Sequence, residues 1–232
     1  LLTGPKSDLL IAKLTDEKTD NESFPWLSHK SIKLCGEDTR VLKVSYAGEK
    51  GFEIHVHNNS MKKIYDELVQ HGENFNLIHF GMLALDSMRL EKNYRSWKSD
   101  LTSDYTMLQS GLEKWIKFDK GNFIGKEALK NEFDLGTSKK FVTLVVDDPE
   151  DNKPFGEPVY LSPVFAGDDY LGPIVSSGYG HRVKKSISMA ILDDRNLNGL
   201  NDQLYIDVLG RKRKAYIVNE ALYDPENLKL RS

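Results

Sequence analysis

Glu53 stands between two large apolar residues, Phe52 and Ile54, directly after the glycine-bearing run Ala47-Gly48-Glu49-Lys50-Gly51. The run from Phe52 to His57 alternates, so a strand here places Phe52, Ile54 and Val56 on one face and Glu53, His55 and His57 on the other. A carboxylate has two parallel acceptor positions. These match a planar fork of donors, such as a guanidinium or the ring N–H and exocyclic amine of a pterin. The competing reading is a solvated strand glutamate. Tyr46 closes the preceding strand and Tyr94 follows a helix. Either can stack on an aromatic ligand or donate a hydroxyl, and either can equally be an ordinary half-buried tyrosine. His55 and His57 share a face, but no third ligand is evident, and a solvated sheet face explains them without a metal. The single cysteine, Cys35, falls in an alternating stretch, where a small buried hydrophobe is expected rather than a nucleophile.

These side chains need elements to hold them. Gly4-Pro5 opens a short helix over Leu9 to Leu14. A polar, irregular stretch from Thr15 to Ser28 follows, anchored by Phe24, Pro25 and Trp26. Ser31–Cys35 and Arg40–Tyr46 read as strands joined by a turn at Gly36-Glu37-Asp38. Ser60 is placed to cap a helix running to His71 and ending near Gly72, with Ile64, Leu68 and the body of Tyr65 inward. Gly81 to Glu91 reads as a second helix with Met82, Leu85 and Met88 at spacing three. A third is expected over Ile124–Phe133, ended by Gly136. Beyond it the pattern changes to short β-rich runs at 141–146, 158–161, 174–177, 187–192, 204–209 and 215–218, separated by Gly and Pro turns. That spacing predicts a small antiparallel barrel or sandwich. Ser177-Gly178-Tyr179-Gly180 is expected to be a turn.

Composition excludes several classes. The 232 residues suffice for one large domain or two small ones with a proper core. Lys+Arg 32 against Asp+Glu 35 gives a formal charge of −3, with no basic excess for nucleic acid. No apolar run approaches a membrane span. One cysteine rules out an internal disulfide framework and a multi-thiolate metal site, and favours a reducing compartment. The chain has no Gly-x-x-x-x-Gly-Lys phosphate loop, no His-Glu-x-x-His motif and no dinucleotide fingerprint. The expectation is therefore no metal and no flavin or nicotinamide site of its own. Leu1-Leu2-Thr3-Gly4-Pro5 reads as the middle of a domain, as in a piece of a longer protein.

The ordered motifs carry a family likeness. Val44-Ser45-Tyr46-Ala47-Gly48-Glu49-Lys50-Gly51-Phe52-Glu53-Ile54 resembles the Tyr-x-Gly-Glu-x-Gly-aromatic-Glu segment of the glycine-cleavage T-protein (aminomethyltransferase) family. Further matches follow in order at Asp86-Ser87-Met88-Arg89-Leu90-Glu91, Asp100-Leu101-Thr102, 118–129, Ser177-Gly178-Tyr179-Gly180-His181 and Leu222-Tyr223-Asp224-Pro225. Asn21-Glu22-Ser23-Phe24-Pro25-Trp26 and Glu91-Lys92-Asn93-Tyr94-Arg95-Ser96-Trp97 resemble the dimethylglycine and sarcosine dehydrogenase branch. T-protein itself usually has an Arg where Leu85 stands here. A related group linked to iron–sulfur cluster upkeep carries a Cys and a Gln where this chain has Asn122 and Lys126.

The resemblance implies an α+β fold. Residues 1–137 would be the C-terminal part of a folate-binding aminomethyltransferase domain, incomplete at its N-terminus, and 138–232 a C-terminal β-barrel domain. It implies tetrahydrofolate as cofactor, Glu53 holding the pterin, and Tyr46, Tyr94 and Tyr223 contributing to the site. The reaction would be capture of a one-carbon unit from a methylamine-derived donor to give methylenetetrahydrofolate. FAD would belong only to a separate flavin domain of a longer parent. The alternatives are a glycine-cleavage aminomethyltransferase, which works with a lipoyl carrier, and a non-catalytic folate-binding scaffold. The family places its important acidic residue in a segment before the Gly4-Pro5-Lys6-Ser7 motif, so no catalytic residue is assigned within these positions. The compartment expected is the bacterial cytoplasm, or the mitochondrion in a eukaryote, with no nucleic-acid or membrane partner.

Overall fold

The structure, a computed structural model, describes residues 1–147, 156–194, 197 and 204–231. Its contacts separate two compact units, one of residues 1–92 together with 222–232 and one of residues 93–221.

The first unit is built on a four-stranded antiparallel sheet. Its strands are β1 (Leu2–Thr3), β2 (His29–Leu34), β3 (Glu37–Leu42) and β4 (Gly51–Val56), in the order β1-β4-β3-β2. Period-two patterning makes one face apolar. Ile32, Leu34, Val41 and Phe52 are buried there with Ile54 and Val56 beside them. Helix α1 (Ser7–Ile11) brings Leu10 and Ile11 to this core, and α2 (Asn58–Gly72) brings Ile64 and Leu68. The 15–28 stretch is pinned by Phe24, which is fully buried and lies 5.9 Å from the Phe52 ring. The buried Lys43 ammonium donates to Asn21 Oδ1 at 2.6 Å and sits 5.8 Å from both phenyl rings.

Several expectations are corrected here. The β2–β3 turn is Cys35-Gly36 rather than Gly36-Glu37-Asp38, since Leu34 pairs with Glu37. Both turn residues have positive φ, 52° and 82°, as a two-residue hairpin loop matching the strand twist requires. Cys35 is therefore a half-exposed turn residue and not a buried strand residue. Helix α2 begins two residues before Ser60. His57 is its cap, with Nδ1 accepting from the Asn59 N–H at 3.5 Å, while the Ser60 hydroxyl donates to Glu37 Oε2 at 2.5 Å. Tyr65 points outward, 53% exposed. In α3 (Met82–Glu91) the expected face is only partly buried: Met82 is 77% exposed, Leu85 and Met88 are partly buried, and full burial begins at Arg89 and Leu90.

The second unit holds α4 (Lys126–Leu135) and a closed antiparallel barrel of six strands among the described residues. They are β5 (Lys139–Val146), β6 (Pro163–Ala166), β7 (Asp169–Gly180), β8 (Lys185–Asp193), β9 (Leu204–Val208) and β10 (Arg211–Val218), in the order β10-β5-β8-β7-β6-β9. Inward residues such as Leu144, Ile174, Ala190, Leu192 and Ile206 fill it. Gly136, with φ 84°, ends α4 as expected, three residues before β5. Residues 137 and 138, where the sequence suggests a boundary, lie inside the second compact unit, whereas 222–232 fall with the first. Residues 158–161 do not form a strand; β6 starts at Pro163. The 177–180 segment is the end of β7 and not a turn, paired with Ser188 through Lys185. Asp100 is fully buried here, accepting from the Ser176 hydroxyl at 2.5 Å and the Ser96 N–H at 2.7 Å, which fastens the 96–101 loop to the barrel.

Candidate functional site

Glu53 lies on the face of β4 opposite the core, across from Leu42 of β3, with His55 one pleat further on across from Arg40. Its side chain is 46% exposed, and Oε2 is 3.5 Å from His55 Nε2. A cavity of about 370 Å³ opens at this carboxylate, lined by Leu1, Tyr46, Glu53, Ile54, His55 and Leu85. Tyr46 and Glu53, seven positions apart in sequence, thus share one small cleft with an aliphatic wall. The two residues are brought together because the chain reverses between them at residues 47–51, where Gly48 adopts φ 75°.

That reversal is tightly held. The Gly4 N–H donates to the Lys50 carbonyl at 2.8 Å, the Thr3 hydroxyl donates to the same carbonyl at 3.2 Å, and Lys50 Nζ meets Asp8 Oδ2 at 2.8 Å. A side chain at Gly51 would press on the Leu2 carbonyl at 3.0 Å. Glycine at this position of β4 lets the edge strand β1 approach closely.

The other two residues singled out in the sequence are Tyr94 and Tyr223. Tyr94 belongs to the second unit. Tyr223 belongs to the first, but its hydroxyl donates to Glu49 Oε1 and accepts from Lys229 Nζ. It does not line the Glu53 cavity. A larger open groove of about 1330 Å³ runs over the same outer sheet face past Arg40 and His55. Its rim mixes Lys13, Lys33 and Arg40 with Asp16, Glu17 and Asp38, so it presents no single sign of charge. The Tyr46–Glu53 cleft is the more specific chemistry, since it combines a ring, a bidentate acceptor and apolar walls. No group of three or more His, Cys, Asp or Glu residues able to hold a metal occurs among the described residues. His57 is spent on capping α2.

Reasoning from sequence missed Lys92. It follows α3, is 1% exposed at its side chain, and donates to the Asp224 carbonyl at 2.5 Å, to Asn227 Oδ1 at 2.8 Å and to Asp224 Oδ2 at 3.3 Å. The available signal was a lysine directly after a helix end together with the turn-forming Asp224-Pro225 pair; nothing local links them.

A sheet carrying a carboxylate-and-tyrosine cleft in one compact unit, and a closed antiparallel barrel in the other, define a two-unit α+β protein. Comparison with known proteins gives this class its family. The profile of the GCVT N-terminal domain matches residues 1–120, and that of the glycine cleavage T-protein C-terminal barrel domain matches residues 139–224. The chain belongs to the glycine-cleavage T-protein family. It is similar to the mitochondrial dimethylglycine dehydrogenase of Homo sapiens, 29% identical over 226 residues, covering 95% of this chain and 25% of that protein. It is equally similar to the aminomethyltransferase of Thermoanaerobacter sp. (strain X514), 30% identical over 223 residues, covering 96% of this chain and 58% of that protein. In fold it resembles the crystal structure of the glycine cleavage system aminomethyltransferase T from Bartonella henselae, with a TM-score of 0.79 at 19% identity, covering 96% of this chain and 58% of that one. The chain thus spans a quarter to somewhat over half the length of the relatives it matches. No helix among the described residues is long and apolar enough to cross a membrane.

Proposed function

We propose that this chain is the folate-binding part of a tetrahydrofolate-dependent one-carbon transferase of the dimethylglycine or sarcosine dehydrogenase kind. The observation that carries the reading is the Glu53 carboxylate at the mouth of the Tyr46 cleft. The residues fit a pterin. Two carboxylate oxygens can accept from its ring N–H and exocyclic amine in parallel. The Tyr46 ring can cover one face of the bicycle. Leu85 and Ile54 supply apolar wall, and a cleft of about 370 Å³ suits the bicyclic head of the ligand rather than all of it. Tetrahydrofolate would supply the nitrogens that take up the one-carbon unit. The chain's own residues orient the pterin and shield it from water. Tyr94 is proposed as a further folate contact on the strength of the family resemblance. The same holds for Tyr223, whose hydroxyl is already engaged by Glu49.

On this reading a flavin domain, in a longer protein or a partner, would supply the oxidation of an N-methyl amine to an iminium, and tetrahydrofolate would take its carbon as a methylene bridge between two nitrogens, releasing the demethylated amine and a proton, before the carbon is lost as formaldehyde. Two segments favour the dehydrogenase kind over a glycine-cleavage aminomethyltransferase, Asn21 to Trp26 and Glu91 to Trp97, and Leu85 stands in the cleft where the other branch usually has an arginine. The acidic residue the reaction needs is not assigned among these positions.

The reading is tested by titrating tetrahydrofolate into the folded protein that carries these residues, followed by an assay for methylenetetrahydrofolate with dimethylglycine or sarcosine as donor. Saturable one-to-one binding, with a Kd on the order of micromolar, is expected. Absence of saturable binding by well-folded protein would overturn the reading. Binding together with turnover only on a glycine-derived aminomethyl carrier would move the chain to the aminomethyltransferase branch.

A further inference from the structure

The reversal that brings Tyr46 and Glu53 together is also gripped by Lys92 and by the segment that follows Ala221. The Lys92 ammonium donates to the Asp224 carbonyl, Asp224 Oδ2 and Asn227 Oδ1. Its methylene stem lies against Gly48. A Cβ placed there would come within 2.2 Å of Lys92 Cγ and 2.6 Å of Cδ. The next residue of the reversal, Glu49, accepts from the Tyr223 hydroxyl. The Tyr223 N–H in turn donates to the Glu91 carbonyl at 3.0 Å, beside Lys92.

The segment after Tyr223 is wound to make these contacts. Asp224 and Asn227 both take positive φ, 45° and 60°, a turn conformation that Asp and Asn adopt more readily than other non-glycine residues. Asp224 Oδ1 accepts the N–H groups of Leu228 and Lys229 at 2.9 and 3.2 Å, capping the final helical turn α5 (Leu228–Arg231). Leu230 is buried, and the Asn21 side-chain amide donates to the Arg231 carbonyl at 3.1 Å. Burial alone pushes the Asp224 carboxyl up, but the Lys229 N–H and the Lys92 charge outweigh it and hold the group below the ordinary carboxylate range.

We infer that Lys92 and the 223–231 segment form a clasp that sets the 47–51 reversal, so that Lys92 is a positioning residue for Glu53 and Tyr46. The inference rests on the folate reading above for its functional consequence, though not for its structural one. A lysine that only stabilised the unit would change melting without changing how folded molecules use Glu53. A clasp on the reversal changes both.

The test uses Lys92→Met in the whole protein, which keeps the stem against Gly48 and removes the ammonium. Hydrogen exchange at the 47–53 amides is expected to rise at least tenfold relative to β2 and β3. Tetrahydrofolate Kd, measured well below the melting temperature, is expected to rise at least tenfold. In a double-mutant cycle, Glu53→Gln should cost distinctly less in the Lys92→Met background than alone. Exchange unchanged at 47–53, or Kd effects that simply multiply, would overturn the inference and leave Lys92 structural. If Lys92→Met does not fold, Tyr223→Phe removes the hydroxyl with its contacts to Glu49 and Lys229. Faster exchange at Glu49 and Lys50 is then expected, and unchanged exchange overturns the clasp. If the wild-type protein binds no folate, the reading under Proposed function fails while the exchange measurement still decides the clasp.

Discussion

Glu53→Gln should weaken tetrahydrofolate binding by roughly 10- to 150-fold, the equivalent of about 1.5–3 kcal/mol for charge-assisted hydrogen bonds lost at a closed site. Glutamine keeps the shape and one acceptor. Its amide nitrogen donates where the pterin also donates, so one of the two parallel bonds is replaced by an opposed pair of N–H groups. The fold should not suffer. In the free protein the carboxylate is 46% exposed, and its neighbour His55 lies 3.5 Å away with a side chain 60% exposed. An exposed pair of that kind contributes little to stability. Calorimetric titration of both proteins, with melting curves run in parallel, separates the two effects. Equal affinities would remove Glu53 from the site.

The second large effect is expected in the barrel. Gly172→Ala should destabilise the second unit by about 3 kcal/mol or more, among the larger costs for a single methyl. Gly172 has φ 153° and pairs with Val164 just before the register shifts between β6 and β7. A Cβ there would lie 2.2 Å from the Ile191 carbonyl oxygen and 3.1 Å from its carbon. Both are backbone atoms of β8 and cannot rotate away. Glycine marks the place where a bulged strand lets a neighbouring backbone come close. Ordinary scaling makes this a fall of roughly 6–12 °C in melting temperature. Denaturant unfolding followed by a barrel probe checks it. A variant as stable as the wild type would contradict the described β7–β8 contact.

How far the sequence could be read follows the range of each interaction. The alternation from Phe52 to Val56 and the β-rich runs after Gly136 are local patterns. They led to β4 and to most of the barrel strands, because which face is buried is written into every second residue. Gly136 was legible for the same reason: a left-handed helix end asks for glycine. Cys35 was not, since a cysteine seldom adopts positive φ and only the Leu34–Glu37 pairing forces it. The start of α2 was misjudged because two polar candidates, His57 and Ser60, lie within one turn, and Glu37 of a different element takes the serine. Met82 looked like a core residue by spacing, yet spacing says nothing of what lies opposite a helix face.

The site divides in the same way. Tyr46 and Glu53 flank a short reversal, so their convergence was readable from the turn glycines between them. Lys92 reaches Asp224 across 132 positions. No periodicity carries that information, and only the folded chain reveals it. Tyr94 stands out only as a tyrosine after a helix end, with the ordinary half-buried reading equally open, and Tyr223 enters through resemblance alone; neither has a local pattern that would link it to Glu53.

The most direct measurement is a crystal structure of the protein carrying these residues with a stable reduced folate, 5-formyltetrahydrofolate, bound. The account predicts the pterin in the Tyr46 cleft, its ring N–H and exocyclic amine both within about 3 Å of the Glu53 carboxylate oxygens. A folate bound with its pterin elsewhere, and Glu53 left facing solvent, would contradict it.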